Sequence, residues 1–579
     1  MTTRGEAMKS DHFETLVSLL RHRASVTREQ TAYTYLDDRF GSPRTFSWGE
    51  FDERARAMAA GLLTRSKPGD RALLVLPSGP DFLFAFFGCL YAGLIAVPAP
   101  EPARARDIDR LRGLIASAKP SVVLATRALL DAGDWNVPGV APEEVPIDGA
   151  AGWSEPAIDG ASTAFLQYTS GSTGDPKGVM VSHANILANE AIICRAFGHD
   201  STTTVVGWLP HYHDMGLIGN ILQPLFVGAQ AVLVSPLAFM RDPLGWLRTV
   251  SKYRGRTTGG PNFAYELCVR RHQRLKQPLD IDLSCLDLAF VGAEPIRART
   301  MQDFARIFGQ YGFDERALFP CYGLAEATLF VTGGDKGVAP RLWERQVGNG
   351  PRSVFVGCGK PAGELDIRVV NPQTLAPCDE GVEGEVLVAG ASVSRGYWNR
   401  PAETEATFGN RLPGSDAPFL RTGDLGVLRA GEVFITGRIR DCIIVKGQNY
   451  YPQDLEVIAE GVQGGIRAGH CAAFGFESLD LERIGLVCEV TDLAGGGAEL
   501  CERIRATISD VHSVPVDTIV LIEPRSLSKT TSGKIERQST KRAFLDGSLR
   551  AIAASSVLDT EEAWCRALDG VRVDRPAKP

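Results

Sequence analysis

Short apolar runs without polar interruption, each joined to a helix-length amphipathic stretch, recur from Asp70 to Phe308. Asp70–Leu76, Leu94–Val97 and Ser121–Ala125 read as strands, with helices at Asp81–Leu90 and Arg106–Ser117 between them. The pattern returns with strands at Thr203–Trp208, Gln230–Val234 and Leu286–Val291, and helices at Ala184–Phe197, Leu244–Lys252 and Arg297–Phe308. A strand with one solvated face alternates apolar and polar residues, whereas a strand covered on both faces does not. The alternation of such strands with helices therefore predicts parallel sheets in an α/β architecture. Ahead of them, YTYLDD and RTFSWGE (Tyr33–Asp38 and Arg44–Glu50) read as a hairpin and a helix start.

The character changes after Pro361. Asp366–Val370, Gly384–Ala389 and Val433–Thr436 are short alternating strands broken by Asn-Pro and Gly, as in a small barrel-like sheet. Beyond Arg440 come strands at Cys442–Val445, Ala472–Phe476, Ile484–Glu489 and Thr518–Ile522, with helices at Pro452–Glu460 and Ala498–Val511. That is an α+β unit of roughly 110–140 residues, the usual size of a separate domain. With 579 residues the chain exceeds what one core serves, and the boundary is expected near Gly437–Asp441.

A formal charge of −7 and no run of Lys or Arg argue against a nucleic-acid partner. The twelve cysteines are scattered, without C-x-x-C spacing, and read as reduced, mostly buried thiols of a cytosolic protein. MTTRGEAMKSDHFETL has no apolar core of a secretory signal. Phe82–Ala99 is uncharged and nearly long enough to span a bilayer, but Gly88, Gly93 and the Pro-rich continuation favour a buried helix and strand over a transmembrane segment.

The stretch that carries most chemistry is Leu166–His183, LQYTSGSTGDPKGVMVSH. Thr169, Ser170, Ser172 and Thr173 stand among Gly171, Gly174 and Gly178, with Lys177 near the end, between two apolar runs. Such a loop can aim backbone N–H groups and hydroxyls at a polyanion while the lysine adds a point charge. It is not a Walker A loop, because no G-x-x-x-x-G-K-[ST] is present. In WLPHYHDMGLIGN (Trp208–Asn220), His211, His213 and Asp214 suggest a metal site but make no complete ligand set. In FPCYGLAEATLF (Phe319–Phe330), Tyr322 offers an aromatic plane for a purine and Glu326 a hard oxygen for magnesium. FLRTGDLG (Phe419–Gly426) places Asp424 in a turn after a strand, where a carboxylate can accept ribose hydroxyls. LSKTTSGKIER (Leu527–Arg537) presents Lys534 in a Ser/Thr/Gly loop, which by itself reads as a solvated basic loop.

In order and spacing these motifs resemble the adenylate-forming superfamily: acyl-CoA synthetases, luciferases, non-ribosomal adenylation domains and fatty acyl-AMP ligases. The resemblance covers about residues 12 to 548. LPxYHDMGLIG followed by PLFVGAQAVL, and the added stretch TGGDKGVAPRLWERQVGNGPRSVFVGCG (Thr332–Gly359), resemble the fatty acyl-AMP ligases in particular. The resemblance implies a large N-terminal domain of two parallel-sheet α/β subdomains plus the small β-barrel-like one (1–437), a hinge (438–441) and a small mobile α+β C-terminal domain (442–579). It implies ATP and Mg2+, with the 169–174 loop and Lys177 on the phosphates. Cys321, Tyr322, Gly323, Leu324 and Ala325, together with Gly292, Ala293 and Glu294, would surround the adenine, and Glu326 would hold the metal. Asp424 and Arg438 would take ribose or phosphate. His213 would lie beside the acyl carboxylate, with Gly260, Asn262 and Phe263 lining the acyl pocket. Arg440 would stand at the hinge and Lys534 would be the catalytic lysine. The implied reaction is fatty acid activation to acyl-adenylate and transfer to a holo acyl carrier protein acting in trans. Two alternatives stay open: an acyl-CoA synthetase using free CoA, and a nucleotide-binding scaffold without turnover.

Overall fold

The computed structural model describes residues 13–102, 105–133, 135–169, 176–346, 352–445, 448–478, 481–491, 496–512, 514–530 and 534–558. The chain divides into two compact units, the first comprising 1–341, 356–422 and 428–434, the second 342–355, 423–427 and 435–579.

Two parallel-cored sheets build most of the first unit. The six-stranded sheet runs Gly139–Val140, Val122–Ala125, Arg71–Val75, Ile95–Ala99, Thr163–Thr169, Lys177–Ser182. Arg71–Val75 is paired in parallel on both sides, and Ala72 to Val75 are fully buried, which is why that run carries no polar alternation. The stretch that resembles a membrane span is the helix Pro80–Tyr91, buried apart from Asp81 at its start, and the strand Ile95–Ala99. Among the described residues no helix is long and apolar enough to cross a membrane. Ser47 and Glu50 cap the helix Trp48–Leu63 reciprocally, as the S-x-x-E spacing dictates.

The nine-stranded sheet runs Lys360–Pro361, Phe330–Gly333, Leu318–Gly323, Leu288–Val291, Thr257–Gly260, Thr204–Gly207, Gln230–Val234, Thr31–Leu36, Arg44–Ser47. Its six-strand interior from Leu318–Gly323 to Thr31–Leu36 has parallel pairings, apart from the antiparallel strands added at either end. The expected hairpin at the N-terminus is the pair Thr31–Leu36 and Arg44–Ser47. The short strands after Pro361 form a four-stranded sheet ordered Asp366–Val370, Gly384–Ala389, Leu420–Arg429, Glu432–Arg438. Asp424 lies inside the third of these strands and not in a turn. The strand runs through Thr422-Gly423-Asp424 because Gly423 takes a positive φ of 68° within it.

The second unit has a sheet ordered Ile466–Ser478, Leu481–Val490, Thr518–Ile522, Ala551–Ser556. Successive residues serve opposite faces. Cys471, Ala473, Leu486 and Ile519 pack with Ile504 and Ile508 of the helix Gly497–His512. Ala472, Phe474, Val487 and Val520 pack with Phe544 of the helix Arg537–Leu545. The Ala551–Ser556 strand had no signal in the sequence reading. Its anchor is Arg505, whose Nη2 donates to Ser555 O and Oγ at 3.0 Å each. The added stretch forms a two-stranded sheet of Leu342–Gln346 and Arg352–Val356, with Trp343 stacked on Phe355 at 5.3 Å. The described cysteines are free thiols.

Candidate active site

Four of the motifs singled out in the sequence leave or end neighbouring parallel strands of one sheet. Trp208–Asn220 follows Thr204–Gly207, Asn262 follows Thr257–Gly260, Gly292–Glu294 follows Leu288–Val291, and Cys321–Gly323 ends Leu318–Gly323. In open α/β sheets the crevice outside the carboxyl ends of the strands is where ligands bind. The phosphate-loop candidate joins the other sheet's antiparallel pair Thr163–Thr169 and Lys177–Ser182, in which Thr169 faces Lys177. Ser170, Gly171, Ser172, Thr173 and Gly174 lie outside the described residues. The stem of that loop reaches the first sheet: buried Gln167 donates through Nε2 to Tyr212 O at 3.1 Å, next to His213.

Tyr322 is buried on the strand Leu318–Gly323, opposite Thr332 of the neighbouring strand. A Cβ on Gly323 would lie 1.7 Å from Leu329 O, so the chain can turn there toward Glu326 only with glycine. Leu324 is extended, Ala325–Ala327 makes one tight turn, and Thr328 takes φ 71°. A left-handed threonine costs about 1–3 kcal/mol and persists only where surrounding contacts impose it. Here the Thr328 hydroxyl donates to Ser392 O at 2.6 Å, and Ser394 N donates to Glu326 O at 2.9 Å. Half-buried Glu326 accepts the Tyr397 hydroxyl on Oε1 at 2.9 Å. Lys177 places its ammonium 5.2 Å from the centre of the same tyrosine ring. Tyr397, in the stretch GYWNRP, is not among the residues that the sequence singles out.

Behind the Gly292–Ala293–Glu294 turn, Ala293 adopts φ 66° and a Gly292 Cβ would meet Cys321 O and Sγ at 3.0 Å. The backbone of this turn thus lies against the residue before Tyr322. Burial pushes the Cys321 thiol well up, which leaves it neutral and inert. Glu294 sends Oε1 to the backbone N of Phe263 at 2.6 Å, capping the start of the helix Asn262–His272. Asn262 is likewise engaged in structure, accepting from Arg297 N at 3.0 Å. The apolar wall is aromatic: Trp208 stacks on Phe239 at 3.7 Å and meets Phe263 edge-on at 6.1 Å. Gly260 supports it, since a Cβ there would lie 2.8 Å from Trp208.

His213 caps the short helix Asp214–Leu217, its Nδ1 accepting from Met215 N at 3.3 Å and lying 2.6 Å from Asp214 Oδ1. His211 is buried against Phe82 at 5.4 Å, and that burial lowers its pKa to about 3, so the ring is neutral. Among the described residues no group of three or more His, Cys, Asp or Glu is placed to hold a metal ion. Glu326 is compatible with magnesium all the same. Magnesium on a nucleotide takes one or two carboxylates and fills its octahedron with phosphate oxygens and water.

In the second unit, buried Asp424 and exposed Arg438 form an ion pair, Nε to Oδ1 at 2.8 Å. The two expected ribose or phosphate contacts are thus neighbours. Arg440 sits in the tight turn Ile439–Asp441, its Nε 3.8 Å from Asp441 Oδ1. Lys534 is paired with Thr530: Thr530 N donates to Lys534 O at 2.7 Å and Lys534 N donates to Thr530 Oγ1 at 3.0 Å. Arg537 forks onto Glu456 at 2.7 Å for both oxygens and reaches Asp441 at 3.4 Å. Burial would lower the Arg537 pKa, but the two carboxylates outweigh it and raise it, holding the guanidinium charged.

Residues 20–398 match the model of the AMP-binding enzyme family, and residues 440–554 match that of the Disco-interacting protein 2-like AMP domain. The chain belongs to the AMP-binding enzymes. It is 38% identical to the medium-chain-fatty-acid acyl-carrier-protein ligase JamA of Moorena producens, covering 94% of this chain and 97% of that protein. The long-chain-fatty-acid–AMP ligase FadD32 of Mycolicibacterium smegmatis is 34% identical over 93% of this chain and 95% of its own length. The crystal structure of the fatty acyl-adenylate ligase from L. pneumophila with acyl adenylate and pyrophosphate superposes with a TM-score of 0.73. That match is 36% identical and covers 95% of this chain and 99% of that one. This AMP-binding enzyme is a ligase that forms acyl-adenylates and uses ATP.

Proposed function

We propose that this enzyme activates a medium- or long-chain fatty acid and delivers it to the phosphopantetheine thiol of a separate acyl carrier protein. The observation that carries the reading is identity of 38% over nearly the whole of both chains with a ligase named for that acceptor. In the first step a carboxylate oxygen attacks the α-phosphorus of ATP in line, and the bond to the β-phosphate bridging oxygen breaks, releasing pyrophosphate. In the second, the carrier thiol attacks the acyl carbonyl, AMP leaves with the C–O electron pair, and the thiol proton passes to solvent.

No protein nucleophile is needed, so the residues act by placement and charge. The Thr169–Gly174 loop and Lys177 hold the phosphates, Tyr322 and the turn Gly292–Glu294 border the adenine, and Asp424 with Arg438 takes the ribose. Lys534 reaches the charge that develops at the α-phosphate. Glu326 would hold Mg2+, which when bound neutralises phosphate charge. Trp208, Phe239 and Phe263 give the acyl chain an apolar wall, and His213 borders its carboxylate. Residues 1–437 would act as the adenylation domain and 442–579 as a mobile domain that turns about 438–441 between the steps. The added stretch Thr332–Gly359 would disfavour the arrangement in which free CoA reacts.

The test is mass spectrometry of products from ATP, Mg2+ and a panel of carboxylic acids. Acyl-AMP and pyrophosphate from medium- and long-chain fatty acids are expected. Adenylate from none of the acids tested would overturn the reading.

A further inference from the structure

We propose that Tyr397 is a positioning residue that locks the Glu326 carboxylate and the Lys177 side chain into one unit, so that ATP and the magnesium ion it would carry meet a preset pair of groups. The inference rests on the reading of Glu326 as the magnesium carboxylate and of Lys177 as a phosphate-loop residue. Three independent anchors converge on the strap that carries Tyr397. The strap adds to the strand Lys177–Ser182 as an edge: Met180 N donates to Gly396 O at 2.9 Å, and Trp398 N donates to Gly178 O at 2.8 Å. It grips both sides of Glu326 through Ser394 N to Glu326 O at 2.9 Å and through the Thr328 hydroxyl to Ser392 O at 2.6 Å. It closes on itself where Tyr397 N donates to Thr404 Oγ1 at 3.0 Å. Gly396 sits at φ 141° with Thr404 so near that a Cβ would lie 2.2 Å from its methyl, so the strap can pass there only as glycine.

At the centre of these anchors the buried Tyr397 ring does two things. Its hydroxyl donates to Glu326 Oε1 at 2.9 Å, and its face lies 5.2 Å from the Lys177 ammonium. A phenol donating to a carboxylate is a charge-assisted bond that fixes which way the carboxylate turns. A cation over an aromatic face keeps its charge while being held in direction. Phe408 meets the ring edge-on at 5.2 Å and leaves it little room to turn. Groups that orient a metal ligand typically change metal affinity about 10- to 100-fold when removed.

The experiment uses the whole enzyme with ATP and no fatty acid, so that binding is read without turnover. Mn2+ titrations of the enzyme–ATP complex followed by electron paramagnetic resonance compare wild type with Tyr397→Phe and Glu326→Gln. ATP–pyrophosphate exchange then gives the Mg2+ dependence and the KM for fatty acid. Tyr397→Phe keeps the ring under Lys177 and against Phe408. It is expected to weaken Mn2+ binding about 10-fold, to lower the exchange rate at limiting Mg2+ but not at saturating Mg2+, and to leave the fatty acid KM unchanged. Tyr397→Leu, which also loses the ring face, should in addition raise the KM for ATP. Glu326→Asp, which keeps a carboxylate but draws it away from the phenol, should reproduce the metal defect if Tyr397→Phe fails to fold. Wild-type metal affinity in Tyr397→Phe, or in Glu326→Asp, with binding lost in Glu326→Gln would overturn the role of Tyr397 and leave that of Glu326 standing. Unchanged metal binding in Glu326→Gln would overturn the reading of Glu326 itself.

Discussion

Glu326 and Lys534 are held in opposite ways. Around Glu326 both the side chain and the backbone are gripped: a buried phenol on Oε1, an amide on its carbonyl, and a strained threonine two residues on that the strap keeps in place. Around Lys534 the contacts include the Thr530–Lys534 pair, the bridge of Lys529 with Ile535, and the half-buried Arg537 fork. A group that must already be in place when ATP arrives gains from having its orientation set in advance. A group carried by an element that changes position between two reactions needs a firm mount and a long reach, which a lysine on a short anchored segment supplies. On the proposed reading, orientation falls to the first unit and delivery to the second.

The largest effect should come from breaking the mount. Arg537→Met takes the guanidinium away from Glu456, which is 1% exposed, and from Asp441. Removing one member of a buried pair costs about 3–5 kcal/mol. The second unit should then unfold at lower denaturant than the first, separating a shared transition into two by circular dichroism and tryptophan fluorescence. Retention of a single, unshifted transition would show that the fork is not what holds the segment.

Removing the delivered group should leave the mount intact. Lys534→Ala is expected to lower acyl-AMP formation about 100- to 1,000-fold, the scale of one lost transition-state charge partner. The same variant, given preformed acyl-AMP, should still form thioester on the carrier, because Lys534 is assigned to the first step alone. Equal loss in both half-reactions would make Lys534 a structural residue of the small unit.

Acid should weaken the first unit through three buried histidines. Burial lowers the pKa of His183 to about 4 and of His199 and His211 to about 3. Unfolded histidines titrate near 6.5, so below that pH the unfolded chain binds protons the folded chain refuses, and stability falls as pH falls from about 6.5 toward 4 and 3. Glu190, bridged to His199 through Gln223, opposes this, because burial raises its pKa and the folded state holds its proton where the unfolded state does not. For these four groups alone the balance is a net loss on the order of 2 kcal/mol per pH unit near pH 5.5. Urea midpoints measured at about pH 7 and about pH 5.5 should fall accordingly. A flat profile would place compensating carboxylates elsewhere in the core.

How much of this was legible in the sequence follows from which interactions are local. Gln230–Val234 and Thr518–Ile522 carry their own burial pattern, and the strands occupy those residues. The hairpin at Tyr33, the capped helix after Ser47 and the antiparallel stem of the phosphate loop were likewise written in local residue types. Asp424 was misplaced because Thr-Gly-Asp has turn composition, and only the pairing of its strand overrides it. Ala551–Ser556 has Ile552 as its single β-branched residue among Ala and Ser and no aromatic to announce a strand, and it is secured by Arg505 from far along the chain. Tyr397 was invisible for the same reason. Its meaning lies in a carboxylate and a lysine brought to it by two different sheets, and nothing in GYWNRP predicts that meeting. Glu294 and Asn262 stand in the expected neighbourhood, yet their side chains are engaged in capping and bracing the helix Asn262–His272.

The central claim is that the adenylate made in the first unit is delivered to a carrier and not to CoA. The direct measurement is a paired assay with ATP, Mg2+ and the best fatty acid, one arm receiving CoA and the other a phosphopantetheinylated acyl carrier protein. The account predicts acyl-AMP in both arms and thioester on the carrier alone. Acyl-CoA formed at a rate matching carrier loading would contradict it and make the enzyme a CoA synthetase with an added stretch of no consequence to the acceptor.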